Sequence, residues 1–128
     1  MKVYRVQHTN GLGPYRNHIE NLIWREVYDG KASKEIERIH DLHTFQRPNP
    51  IEDFGWKSID PDEYVFGFET YDQYRSWFTK SCRKLLAKHD YQLVIFDVPK
   101  KHVLIGQSQV AFKPDKADIL DILDIKWS

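Results

Sequence analysis

Phe66-Gly67-Phe68-Glu69-Thr70-Tyr71-Asp72-Gln73-Tyr74-Arg75-Ser76-Trp77-Phe78 holds both a strand end and a helix start. Thr70 stands where an N-cap belongs and Gln73 three residues on, so two otherwise orphan backbone donors can be satisfied reciprocally. Past the cap, Tyr71, Tyr74, Trp77, Phe78, Cys82, Leu85 and Leu86 recur at three- and four-residue steps. That spacing predicts one long amphipathic helix over 71–88, with Asp72, Ser76, Lys80, Arg83 and Ala87 turned away from the core. After Asp90 the period changes. Leu93-Val94-Ile95-Phe96 is a continuous apolar run closed by Pro99, the pattern of a strand covered on both faces.

Outward from this unit, alternation predicts a strand over 2–8, with Val3, Arg5 and Gln7 on one side and Tyr4, Val6 and His8 on the other. Further strands are expected over 64–69, 91–98 and 102–112, with Gly106 as a bulge or point of close approach. The expected fold class is α+β. A single compact domain spans 1–128, with a mainly antiparallel sheet, the 71–88 helix on one face, and shorter N-terminal helices. One of these starts at Asn17 and carries Ile19, Leu22, Ile23 and Val27 to a stop at Gly30. The other is capped by Ser33 and aligns Ile36, Ile39 and His40. Residues 44–62 hold three prolines and no sustained period, so they read as a loop. Its aromatics Phe45, Phe54 and Trp56 must pack back on the domain or onto a ligand. At the C-terminus, Asp115 can cap a short helix, or Leu123, Ile125 and Trp127 can alternate in a closing edge strand.

Nineteen basic residues balance nineteen acidic ones, which argues against a dedicated nucleic-acid binder. Lys80, Arg83, Lys84 and Lys88 follow the outer helix face, and Asp115, Asp118, Asp121 and Asp124 recur every third residue. Both read as solvated faces. A lone cysteine excludes an internal disulfide, and Cys82 lies on the apolar side of its helix, as a small hydrophobe would. No run is long and apolar enough for a membrane span, and Met1-Lys2 leads straight into a strand pattern. A cytoplasmic location is therefore expected. Glu37, His40 and His43 could share a helical face, but no further ligand cluster joins them, so no metal is expected. Gly11-Leu12-Gly13 lacks the third glycine of a dinucleotide fingerprint, and no G-x-S-x-G elbow is present. The carboxylates Glu52, Asp53, Asp60, Asp62 and Glu63 read as solubilising loop residues.

Three features suit a binding site. Arg5 lies on a strand face, where a guanidinium needs an acceptor such as a phosphate or carboxylate. Gln107 and Gln109 fall two apart on an expected strand, so their amides would share a face. Tyr15 and Arg16 follow the turn that ends the Arg5 strand.

The Tyr4-Arg5 strand, the F-G-F-E-T strand end and G-Q-S-Q-V-A-F resemble small uncharacterised proteins of tailed phages and bacteria. In order of elements the chain also resembles compact ADP-ribosyltransferase-like domains. That resemblance implies that Arg5 holds NAD phosphates, that Thr70 is the serine or threonine after a middle strand, and that Gln107 opens a Q-x-E motif. Gln109 stands where the catalytic glutamate belongs, and an amide cannot stabilise developing positive charge. The implied function is a non-catalytic domain for an NAD-derived or cyclic nucleotide, acting in phage–host conflict. Its ligand-binding set is Arg5, Gln7, Tyr15, Arg16, Phe54, Trp56, Thr70, Gln107 and Gln109. No catalytic residue is expected and no cofactor other than NAD as ligand. One alternative is an active mono-ADP-ribosyltransferase acting on a host protein, with Glu69 or Glu63 in the glutamate's place. Another is a protein-binding inhibitor module.

Overall fold

Strand β3, Tyr91–Asp97, lies in the middle of a three-stranded antiparallel sheet, paired with β1 (Lys2–His8) on one side and β6 (Asp118–Asp124) on the other. The computed structural model describes residues 1–11, 13, 54 and 63–128. The apolar run has the placement its composition predicts. Tyr91 and Leu93 enter one core with Val6, while Val94 and Phe96 enter a second with Val3 on the opposite face.

A second antiparallel sheet is built from β2 (Val65–Gly67), β4 (Val103–Ile105) and β5 (Val110–Phe112), in the order β2-β5-β4. The two sheets meet at a corner. There Tyr4 and Phe68 exchange backbone hydrogen bonds of 2.8 and 2.7 Å. Gly67 permits that approach, because a Cβ at this position would lie 2.6 Å from Val3 Cγ1 and 2.8 Å from the Tyr4 carbonyl oxygen. The second sheet thus covers Val3, Val94 and Phe96, adding Val110 and Phe112 to that core, which Val98 joins from just past β3.

The other face of β1 and β3 is covered by two helices, α1 (Tyr71–Trp77) and α2 (Lys80–Lys88). The Thr70 capping box forms as the spacing requires: Thr70 Oγ1 accepts from Gln73 N at 3.1 Å, and Gln73 Oε1 accepts from Thr70 N at 3.2 Å. Tyr74, Cys82 and Leu86 are fully buried beneath these helices, together with Ile125 from the C-terminus.

This architecture corrects the expected α+β arrangement of one sheet carrying one long helix. The described residues form two three-stranded antiparallel sheets and only two short helices. The 71–88 helix is interrupted at Phe78 and Thr79, both of which adopt extended backbone angles. The apolar spacing runs unbroken across the interruption, so periodicity alone does not reveal it. Arg83, expected outside, is buried and donates to the Phe78 carbonyl, which the break leaves outside any helical ladder. The 102–112 strand is a hairpin instead: β4 and β5 pair antiparallel, and Gly106 N donates to Gln109 O across the turn. Gly106 therefore serves a turn and not a bulge. Near the C-terminus an edge strand forms, earlier than the expected alternation, over Asp118–Asp124. The shorter N-terminal helices and all of the 44–62 loop except Phe54 lie outside the described residues. No helix among the described residues is long and apolar enough to cross a membrane.

Candidate functional site

Arg5 sits on β1 opposite Val94 and is 7% exposed. Its Nε donates to Gln7 Oε1 at 3.0 Å, its Nη1 to the Phe66 carbonyl at 2.8 Å and its Nη2 to the Gly11 carbonyl at 3.5 Å. Gly13 lies alongside, where a Cβ would approach Nη2 to 3.3 Å. Through these bonds the guanidinium ties the strand to the β2 corner and to the turn that follows β1. Phe54 is buried and packs against Phe66, ring centroids 6.0 Å apart, so this loop aromatic folds back on the domain.

Of the nine expected site residues, Arg5, Gln7 and Phe54 therefore meet around Phe66. Thr70 is occupied as the helix cap. Gln107 is exposed in the β4–β5 turn while Gln109 is buried there, so the two amides do not share a strand face. Tyr15, Arg16 and Trp56 lie outside the described residues, as do Glu37, His40 and His43. Among the described residues no group of three or more His, Cys, Asp or Glu is placed to hold a metal ion. The buried polar or charged side chains among them are Arg5, His8, Arg83 and Gln109, with no carboxylate.

A different cationic site forms between α2 and the C-terminal 3-10 turn, Ile125–Trp127. Lys84, Ala87, Lys88 and Lys126 line an open depression of about 440 Å³, within the size range of small-ligand sites, ~300–1,000 Å³. Lys84 and Lys88 are one helical turn apart, a like-charge spacing that costs about 0.2–0.5 kcal/mol in an isolated helix. Lys88 offsets part of this by lying at the negative end of the α2 dipole. The third lysine is held in place by its turn. Ile125 is fully buried, and Asp124 Oδ1 accepts from Lys126 N at 3.0 Å. Ser128 Oγ donates to the Ile125 carbonyl at 2.9 Å and also bonds the Tyr74 hydroxyl. Burial pushes the Tyr74 phenol up to about 12, against the opposing pull of that hydrogen bond. Lys126 also lies 5.1 Å from the centroid of the Trp127 ring, and that ring is 78% exposed. Lysines of this kind can turn their ammonium groups to phosphate oxygens, and the exposed indole beside Lys126 can stack a planar base. Lys84 and Lys88 were visible as part of a basic stripe. Lys126 and Trp127 were not assignable, because the local pattern left helix and strand both open.

Residues 1–126 match the model of the family described as Bacteriophage T4 Y00F protein. A protein of Enterobacteria phage T4, described as an uncharacterized 19.7 kDa protein in the motB-dexA intergenic region, is 34% identical over 56 residues. The alignment covers 44% of this chain and 34% of that relative, about a third of its length. No solved structure matches. Neither match is to an ADP-ribosyltransferase.

Proposed function

The chain belongs to the bacteriophage T4 Y00F protein family, and from that premise we propose that the domain binds, without transforming it, a phosphate-bearing nucleotide-type ligand. The ligand class is an NAD-derived or cyclic nucleotide, and the setting is conflict between phage and host. The observation that carries this reading is the depression lined by Lys84, Lys88 and Lys126, with the exposed Trp127 ring against Lys126. Lysines suit it as mobile point charges, which follow a phosphate without demanding the fixed bidentate geometry of arginine. The lack of a buried carboxylate among the described residues favours binding over group transfer.

Titration of the labelled protein with NAD, cyclic AMP and inorganic pyrophosphate, followed by NMR, tests the reading. The expected result is a nucleotide that shifts the Trp127 indole and the Lys84–Lys88 turn. Trp127→Ala should cost about 1–3 kcal/mol of affinity through lost stacking. Each Lys→Gln change should cost up to about 1 kcal/mol, the range of a screened surface pair. Binding that survives these changes and is lost on Arg5→Ala would move the ligand to the Arg5 corner. No shift with any probe would remove the nucleotide reading.

A further inference from the structure

The strand β6, Asp118–Asp124, has the sequence Asp-Ile-Leu-Asp-Ile-Leu-Asp and forms the outer edge of its sheet. It pairs with β3 on one side, and no other described strand pairs with it. Ile119, Leu120 and Ile122 are 56%, 52% and 49% exposed. The opposite outer strand of this sheet, β1, is bridged to the second sheet through Tyr4 and Phe68. The outer strand β4 of that second sheet is only three residues long, a usual way a free edge is made harmless. β6 is seven residues long, about 23 Å at the usual rise, and contains neither proline nor lysine.

The register sorts its side chains. Ile122 stands opposite Val94 and Ile119 opposite Phe96, so both extend the apolar face formed by Val3, Val94 and Phe96. Leu120 is the extra residue at the irregularity between them. Asp121 stands opposite Ile95 and Asp118 opposite Asp97, on the other face. Over 118–122 the edge therefore shows one apolar side and one acidic side, while Asp124, opposite Gln92, falls at the end of the apolar side. A second copy of the chain is a poor occupant. Antiparallel self-pairing centred on Asp121 would set Asp121 against itself and Asp118 against Asp124, and like charges directly opposed are destabilising.

We infer that β6 is a docking edge for an extended segment of a partner protein that alternates basic and apolar side chains. The segment adds a fourth strand beside β6 through main-chain hydrogen bonds. Its apolar residues cover Ile119, Leu120 and Ile122, and its lysines or arginines face Asp118 and Asp121. Asp118 and Asp121 thus select the partner's charge, and with Asp124 they disfavour antiparallel self-pairing centred on Asp121. This surface is independent of the lysine depression, and either site can exist without the other.

The test uses the full chain and two capped peptides, acetyl-Lys-Val-Lys-Val-Lys-Val-Lys-amide and its counterpart with Glu in place of each Lys. Amide hydrogen exchange and NMR titration are the readouts. The basic peptide should slow exchange across 118–124 and bind more weakly as salt rises, and the acidic peptide should do neither. In the Asp118→Lys, Asp121→Lys double variant, affinity for the basic peptide should fall roughly tenfold or more while the acidic peptide gains. The exposed positions of both aspartates keep that variant folded, and its melting temperature verifies this. Equal binding of both peptides, binding without protection of 118–124, or no binding by either would overturn the inference. Concentration-dependent dimerisation that protects 118–124 would overturn it in favour of a second copy.

Discussion

Gly67→Ala tests the corner that folds one sheet over the other. The added Cβ would meet Val3 Cγ1 at 2.6 Å, the Tyr4 carbonyl oxygen at 2.8 Å and Phe112 Cε1 at 3.3 Å. Val3 and Phe112 are fully buried, so neither ring nor methyl has room to retreat. The carbonyl is backbone and accepts from Phe68 N at 2.7 Å. Overpacking of this kind costs about 1–3 kcal/mol. If the corner opens instead, two bridging hydrogen bonds are lost at about 0.5–1.5 kcal/mol each. Either way the expected destabilisation is about 1–3 kcal/mol. At roughly 4 °C per kcal/mol for a domain of this length, the melting temperature should fall by about 4–12 °C. Urea unfolding followed by tryptophan fluorescence reads the change directly, since the chain has four tryptophans. The Val3→Ala, Gly67→Ala double variant should cost less than the sum of the two singles, because one of the clashes is removed while the carbonyl clash stays. An unchanged midpoint for Gly67→Ala would refute the reasoning, and with it the close approach of β1 to β2.

Thr70→Ala should cost about 0.5–2 kcal/mol by removing the acceptor for Gln73 N, visible as a lower urea midpoint with an unchanged slope; no loss would show that the capping box adds nothing. His8 is buried, which lowers its pKa, against the opposing effects of the Asn10 side chain and Asp90. Its folded pKa thus lies below its unfolded value of about 6.5, so the unfolded chain takes up the proton first as pH falls. Stability from this group should be complete above about pH 6.5 and be lost as pH drops through the folded value. His8→Gln should flatten the acid limb of a melting-temperature profile, and an identical slope in both proteins would count against a buried neutral imidazole.

Most of the local structure is written in the sequence, and most of the long-range assembly is not. The capping box and the both-face burial of β3 follow from patterns a few residues long. The helix break does not, because Phe78 and Thr79 interrupt the backbone without interrupting the apolar spacing. The 102–112 segment failed for a related reason. Gly106 in an apolar stretch fits a bulge and a turn equally well, and the Gly106–Gln109 hydrogen bond decides for the turn. That single choice also separates Gln107 from Gln109, on which the strand-borne Q-x-E comparison depended. Arg5 and Gln7 were legible as neighbours on one strand face, but the Phe66 and Gly11 carbonyls come from elsewhere in the chain. Lys126 was hidden in the same way, since it reaches α2 only once Ile125 is buried.

The corner at Gly67 also decides which edge of the molecule is left open. On one side of β1, the Tyr4–Phe68 bridge occupies the edge and turns the chain into β2. From there β5 and β4 fold back over Val3, Val94 and Phe96, and the Phe96 and Phe112 rings meet at 5.3 Å. On the far side of β3 nothing comparable occurs among the described residues. β6 pairs along its inner edge, and its apolar residues Ile119 and Ile122 continue the covered face into solvent. Were the six strands a flat sheet, β4 and β6 would both be outer edges with both faces to cover. The bend gives the inner face a shared core and leaves the short β4 and the long β6 as the two ends. Length then separates them, because three residues offer too few main-chain groups to hold a strand, and seven offer enough. The glycine that lacks a side chain for steric reasons at one end of the sheet thereby fixes where an added strand can bind at the other.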